Sequence, residues 1–284
     1  MLPQPIILDL SEWQVPNQIN YDLLSQQIAG VIVRVQYGSN YEDKHYQTHI
    51  KEFQKRQVPV AVYAWVRGTS LSDMEQEASD FYRRGQKFNP TFWWLDVEEQ
   101  SMLDMRNGVE AYRKKLKSLG AKKVGAYIAN HLYHPFHLET KNFDAIWLPT
   151  YGQNTGSYNG SNPTATNDYH LHQYTDKGKL AGYGGHLDLN RMAKGQLSDY
   201  FNSKLQEGSQ KQSGRLYILL FDIYLRKAPS TKSASIVLLK KDQQILIQKL
   251  QINEGYLWGE QKRSDGTLAY LALGLLQEYV KKVK

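Results

Sequence analysis

Cysteine is absent from the 284 residues, which excludes disulfides, thiolate nucleophiles and cysteine metal sites and leaves the redox compartment open. Also missing is any run approaching the roughly 18 to 20 apolar residues that span a bilayer. The longest apolar stretches are short and β-rich, as from Leu216 to Phe221, so no transmembrane segment is expected. Met1 to Leu10 has no basic region, no long apolar core and no small-residue cleavage site, which predicts a chain without a secretion signal. Low-complexity tracts are lacking, and 41% hydrophobic with 22% charged residues is an ordinary globular composition. No glycine-rich phosphate loop is found, because Gly182, Gly184 and Gly185 precede a strand-like run and not a helix. His131 with His134, and His170 with His172, form no HExxH arrangement, and no G-x-S-x-G elbow offers an acyl-transfer nucleophile. No metal or other cofactor is expected.

What is present is unevenly distributed. Up to residue 201 there are 21 Lys and Arg against 21 Asp and Glu, whereas the remainder has 14 against 7, so the whole net charge of +7 sits in the tail. Nucleic-acid binding is not expected from this excess, since no recognised motif organises it. Asn202 to Gly214, NSKLQEGSQKQSG, is polar and has nothing to bury, which predicts a linker over 202–214 between domains at 1–201 and 215–284.

Upstream of the linker, apolar runs alternate with stretches of helical period. The runs are Ile6 to Leu10, Val31 to Val35, Val58 to Trp65, Phe92 to Val97, Val124 to Ile128, Ala145 to Leu148, Tyr169 to Tyr174 and His186 to Leu189. Helices are predicted at Tyr21 to Ile28, Asp43 to Arg56, Ser72 to Lys87 and Met102 to Leu119, the third with Ser72 as N-cap ahead of Glu75. This alternation is the mark of an α/β fold with a parallel sheet. Eight strands in so short a span predict an irregular (β/α)8-type barrel with truncated units, because a full barrel usually needs about 250 residues. Downstream, short strands with turns predict a small all-β barrel.

In such a barrel the chemistry lies at the C-terminal ends of the strands. The polar residues ending the runs are Asp9, Tyr63, Trp65, Asp96, Glu98, Tyr127, Trp147, Tyr151 just beyond, Gln173 and Asp188. Asp96 and Glu98 stand at i and i+2, so on a strand they share a face about 6.5 to 7 Å apart at Cα. Two carboxyls together after the apolar Trp93, Trp94 and Leu95 should raise the pKa of one, which suits it to act as a general acid. Aromatics beside carboxylates point to carbohydrate, whose rings present apolar faces to Tyr or Trp. Tyr63, Tyr127, Trp147, Tyr151 and Gln173 are therefore the candidate substrate contacts, and Trp65, Trp93 and Trp94 fit better as core or wall.

Over about the first 200 positions these residues resemble the glycoside hydrolase family 25 lysozymes, the Chalaropsis-type N-acetylmuramidases. Ile7 to Gln14, ILDLSEWQ, resembles the family's opening D-x-S-x-x-Q strand; Trp94 to Glu98, WLDVE, its D-x-E strand; Leu171 to Tyr174, LHQY, its W-Q-Y segment; and Leu187 to Asn190, LDLN, its closing D-x-N. The resemblance implies cleavage of the β-1,4 bond between N-acetylmuramic acid and N-acetylglucosamine in peptidoglycan, with retention of configuration and no metal. It makes Glu98 the general acid/base and Asp96 its partner, with Asp9 and Asp188 flanking the site. Departures are His172, where many relatives have Trp, and Gln36-Tyr37-Gly38 in place of Ser/Thr-Glu-Gly, both expected at the edge of the site.

From about Arg215 to Gly274 the tail resembles a bacterial SH3-type (SH3b) wall-binding domain, LRKAP at Leu225 to Pro229 matching its R-x-x-P and YLWG at Tyr256 to Gly259 its W-G turn. Tyr256, Trp258 and Tyr270 are then the candidate wall contacts, and the basic excess suits anionic wall polymers. Together the two resemblances imply a phage or prophage endolysin that reaches the wall of a Gram-positive host from its cytoplasm through a holin. A bacterial autolysin acting outside the cell reads the same way. A non-catalytic wall-binding protein would be expected to have lost Glu98 or an aspartate, and chitin cleavage is the nearest enzymatic competitor.

Overall fold

The computed structural model describes residues 2–201, 215–263 and 266–275, and the chain divides into two units at residues 205 and 206. The linker expected over 202–214 and the basic end beyond residue 275 lie outside the described residues.

Chain order in the first unit is β1 (Ile7–Leu10), α1 (Tyr21–Ser25), β2 (Gly30–Tyr37), β3 (Tyr41–Glu42), α2 (Tyr46–Lys55), β4 (Val60–Trp65), α3 (Leu71–Gly85), β5 (Trp93–Val97), α4 (Met105–Leu119), β6 (Val124–Ile128), β7 (Ile146–Pro149), β8 (Leu171–Gly178), β9 (Leu187–Met192) and α5 (Leu197–Tyr200). Pairing runs β1-β9-β8-β7-β6-β5-β4-β2 and closes through β1 with β2, an eight-stranded barrel with β3 hairpinned onto the end of β2. Strands from β1 to β8 that neighbour one another in the barrel are parallel, but β9 is antiparallel to both β8 and β1, which corrects the expectation of an all-parallel sheet. The connection over 179–186 is too short for the dozen or more residues a parallel crossover needs. Gly182, with φ +99°, lies within that reversal.

Two side-chain sets follow from strand alternation. Val31, Val33, Val62, Leu95, Val97 and Ala126 point outward and bury the apolar faces of α2, α3 and α4. Ile7, Ile32, Ala61, Phe92, Trp94, Trp147 and Leu171 fill the interior, which Tyr200 and Phe201 close at the strand N-termini. Trp94 stacks on Phe92 at 4.6 Å and meets Trp147 edge-on at 5.5 Å. Gly125, its neighbour on β6, leaves the space: a Cβ there would stand 2.4 Å from the Trp94 ring. Gly125→Ala is therefore expected to destabilise the barrel by about 1–3 kcal/mol through overpacking, read as a lower denaturant midpoint at unchanged m-value.

All four predicted helices form, each shortened at one end or both, and α3 starts at Leu71, one residue ahead of its expected start. The N-cap of α3 is Ser70, whose hydroxyl accepts from Asp73 N at 3.2 Å, and not Ser72, because Ser70 has the extended backbone a cap needs while Ser72 is already in the first turn. After β6 and β7 the expected units are truncated, and the only helical turn over 129–170 among the described residues is a 3-10 turn at Thr140–Asn142.

The second unit is all-β: β10 (Arg215–Ile218), β11 (Ile223–Arg226), β12 (Ser235–Leu239), β13 (Gln244–Ile247), β14 (Lys249–Asn253), β15 (Tyr256–Lys262) and β16 (Leu268–Leu275). β10 pairs with β13, and the others form a sheet in the order β12-β11-β16-β15-β14. Leu219, Leu225, Ile245, Ile247, Ala269 and Leu271 make its core. Among the described residues no helix is long and apolar enough to cross a membrane.

Candidate active site

Alternation along β1 places Asp9 on the same inward face as Ile7, and along β5 it places Asp96 and Glu98 above Phe92 and Trp94. Asp188 arrives differently. It stands near the start of β9, not the end of a strand, and reaches the same rim because β9 runs in reverse; the register sets it directly opposite Asp9. Gln173 is likewise within β8, opposite Asn190, and not at its end. The four carboxyls line one cavity of about 160 Å³, with Tyr63, Tyr127, Trp147, Tyr151 and Gln173 on its walls.

The hydrogen bonds behind this pit are continuous. Tyr127 and Tyr151 both donate to Gln173 Oε1, at 2.9 and 2.6 Å, and Gln173 Nε2 donates to Asp9 Oδ2 at 3.1 Å. Asn190 Nδ2 donates to the same oxygen at 2.7 Å. Asp9 is thus fixed by two amides. Even so, burial lifts its pKa to about 7, outweighing the stabilising amides, with the charge of Glu98 adding to the rise. Asp96 is pushed well above the carboxylate range, first by burial and then by the charge and hydrogen-bonding contact of Glu98. Glu98 is raised too, again by burial, and is less enclosed than Asp96. Asp188 is raised by burial and by Asp9. Such a pit lets its carboxyls keep protons to a higher pH than in water, which is what general-acid chemistry requires. Asp96 Oδ1 is buried with no hydrogen-bond partner among the described residues.

Four residues on the cavity were not among the sequence candidates for substrate contact: Ser11, Trp13, Arg34 and Trp65. Arg34 is the cation on its wall, held by Asp43 at 3.1 Å and Glu12 at 3.2 Å. A lone charge in the apolar run of VIVRVQY was the sequence signal for it. Trp65 donates its indole N–H to Glu99, which also pairs with Arg67. Among the described residues no group of three His, Asp or Glu side chains is arranged to hold a metal ion.

The two departures from the family pattern lie behind the pit and not on it. Gln36 is buried, donating to Glu77 O and accepting from Arg84. His172 is buried and bridges elements: Arg191 Nε donates to Nδ1 at 3.1 Å, so the proton sits on Nε2, which donates to Thr150 O at 2.8 Å. Burial lowers its pKa to about 4, which keeps the ring neutral. This clamp fixes the residue preceding Tyr151. His172→Phe fills the volume but deprives the Thr150 carbonyl and Arg191 Nε of this partner, while Arg191 Nη2 keeps Asn162, so a loss of about 2 kcal/mol in unfolding free energy is expected by denaturant titration.

In the second unit Tyr256 and Tyr270 are half-buried, but Trp258 is fully buried and its indole N–H donates to Asn253 O at 3.0 Å. Buried in this way it offers no exposed ring face to a ligand, which corrects its expected wall contact.

A closed barrel whose rim gathers protonatable carboxyls between aromatic walls is the site of a glycosidase. The chain belongs to glycosyl hydrolases family 25, whose family model matches residues 8–183. It is similar to the structure of GHIP, a glycosyl hydrolase 25 and virulence factor of Streptococcus pneumoniae participating in host cell invasion, at 44% identity and TM-score 0.67 over 71% of this chain and 92% of that one. The catalytic domain of endolysin ply40 from bacteriophage P40 of Listeria monocytogenes is 25% identical, with TM-score 0.63 over 71% and 96% of the two chains. The Clostridium perfringens spore cortex lytic enzyme SleM shares the fold at 16% identity, with TM-score 0.59 over 94% and 97%. Among curated proteins no match was found.

Proposed function

We propose that the barrel is an N-acetylmuramidase, cleaving the β-1,4 bond between N-acetylmuramic acid and N-acetylglucosamine in peptidoglycan with net retention. The observation that carries this is the pairing of Asp96 with Glu98, two raised carboxyls side by side in one pit. With Asp96 as the anion, a proton on Glu98, the more open of the two, passes to the glycosidic oxygen and leaves Glu98 as a carboxylate. Asp96 Oδ1, without a partner among the described residues, accepts the N–H of the substrate's acetamido group, whose oxygen attacks the anomeric carbon as the bond to the leaving sugar breaks. Water then opens the cyclic oxazolinium intermediate, giving its proton to Glu98. The Asp96 and Glu98 carboxyls are in hydrogen-bonding contact, closer than the roughly 5 to 5.5 Å separation that direct displacement uses, which favours substrate assistance. A glycosyl ester trapped on Asp96 would overturn that route. Asp9 and Asp188 frame the floor.

The second unit is proposed to be an SH3b-like wall-binding module, supported by the seven short strands among its described residues and the basic excess of the tail. It would raise the local substrate concentration for the barrel. The proposed setting is a phage or prophage endolysin that acts from the host cytoplasm once a holin opens the membrane, supported by the likeness to ply40. Mass spectrometry of digested peptidoglycan tests the reaction: new reducing ends on muramic acid are expected, and reducing ends on glucosamine, or free peptides alone, would contradict it.

A further inference from the structure

The pit is small for a polysaccharide. Its 160 Å³ compares with about 300–1,000 Å³ for ordinary ligand sites, so a glycan must continue past the rim. The aromatic rings inside cannot follow it. Tyr63, Tyr127 and Trp147 are 9%, 4% and 2% exposed, and Trp147 already packs edge-on against the other two. Among the described residues, Trp13 is the one aromatic ring on the cavity that is mostly exposed, at 75%.

Single exposed apolar side chains are common, but this one stands on backbone pinned from both sides. Ser11 N donates to the Gln14 side chain at 3.0 Å, and Gln14 N donates back to Ser11 O at 3.3 Å. Glu12 N donates to Asp43 Oδ2 at 2.9 Å, while the Glu12 carboxylate holds Arg34 and accepts from Tyr41. The turn between Asp9 and Gln14 is therefore tied to β2 and to the hairpin strand β3, and it carries a bare indole at the mouth of the pit. With its backbone held before binding, the turn has little freedom of its own to lose when a ligand stacks on the ring.

We infer that Trp13 is a stacking platform for a sugar residue lying outside the pit, so that it sets a preference for glycan strands longer than the pair whose bond is cut. This rests on the glycan-hydrolase reading above. The apolar C–H face of a pyranose covers the indole, and the carboxyls below act on the neighbouring linkage.

Kinetics of the full chain on soluble, peptide-free peptidoglycan glycan strands of graded length test it, using Trp13→Ala, Trp13→Phe and Trp13→Leu. On long strands Trp13→Ala should raise KM about tenfold while kcat changes less than twofold. Trp13→Phe should recover most of that KM and Trp13→Leu little of it, because a flat ring face is what the sugar requires. The penalty should shrink on the shortest strand cleaved. An active wild type whose KM on long strands is indifferent to Trp13→Ala, or a Leu variant equal to wild type, overturns the inference alone. A wild type inactive on strands of every length overturns the glycan-hydrolase reading and this inference with it.

Discussion

Glu98→Gln should reduce kcat on peptidoglycan by about a thousandfold, within the 10²–10⁴ that a positioned general acid contributes, while KM moves little. The amide keeps the size and hydrogen-bonding reach of the carboxyl but cannot give a proton to the leaving sugar. In the wild type the acidity is maintained by enclosure: burial raises both members of the pair, and the charge of Glu98 raises Asp96 further. A proton therefore stays between them where free carboxyls would have lost it. Activity should fall as pH climbs past the pair's raised titration, because the acid is then missing from Glu98. Asp96→Asn should also impair turnover, but it removes an anion rather than the acid, so the alkaline limb of the pH profile should persist in that variant and be absent from the residual rate of Glu98→Gln. Release of reducing ends against pH reads both. Retention of a tenth of wild-type kcat by Glu98→Gln would move the acid elsewhere.

The strands of the barrel were legible because each buried run is apolar on both faces and short, a pattern that survives in the sequence without reference to its neighbours. Direction was less legible. The reversal of β9 depends on the length of a glycine-containing connection, and Asp188 occupies the rim only because of that reversal. Asp9, Asp96 and Glu98 could be read from strand ends and an i, i+2 spacing. Arg34, Ser11 and Trp13 could not be collected in that way: Arg34 lies within β2, and the other two follow β1 in a turn whose shape is set by Asp43, distant in sequence. His172 illustrates a further limit. Its place in the family pattern suggested the edge of the site, yet its partners, Arg191 and Thr150, come from segments that only the closed barrel brings together. In the tail, YLWG, read as a W-G turn, lies on a strand, β15, and the burial of Trp258 there could not be read from the motif.

Asp9→Asn is expected to make the barrel more stable above neutral pH while impairing its activity. The sign follows from proton binding. Unfolded, Asp9 titrates near 3.8; folded, near 7. Between those values the native chain holds more protons than the unfolded one, so unfolding free energy falls as pH rises across the window and the loss is complete above about 7. The displacement corresponds to a ceiling of about 4 kcal/mol. Asparagine does not titrate, and its amide oxygen can accept from Asn190 and Gln173 as the carboxylate does, so the variant escapes the charge penalty and loses only the stronger bonds to an anion. A net gain of about 2 kcal/mol at pH 8 should raise the barrel's melting temperature by roughly 4–8 °C, shrinking toward zero near pH 4. Asp188, also raised by burial, still titrates in the variant, so the pH slope should diminish without vanishing. Thermal melts from pH 4 to 8, followed on the barrel's tryptophans, measure the difference. A stability difference that is flat in pH would mean that Asp9 is ionised throughout, and the pit would then lack the proton-retaining character on which its chemistry depends.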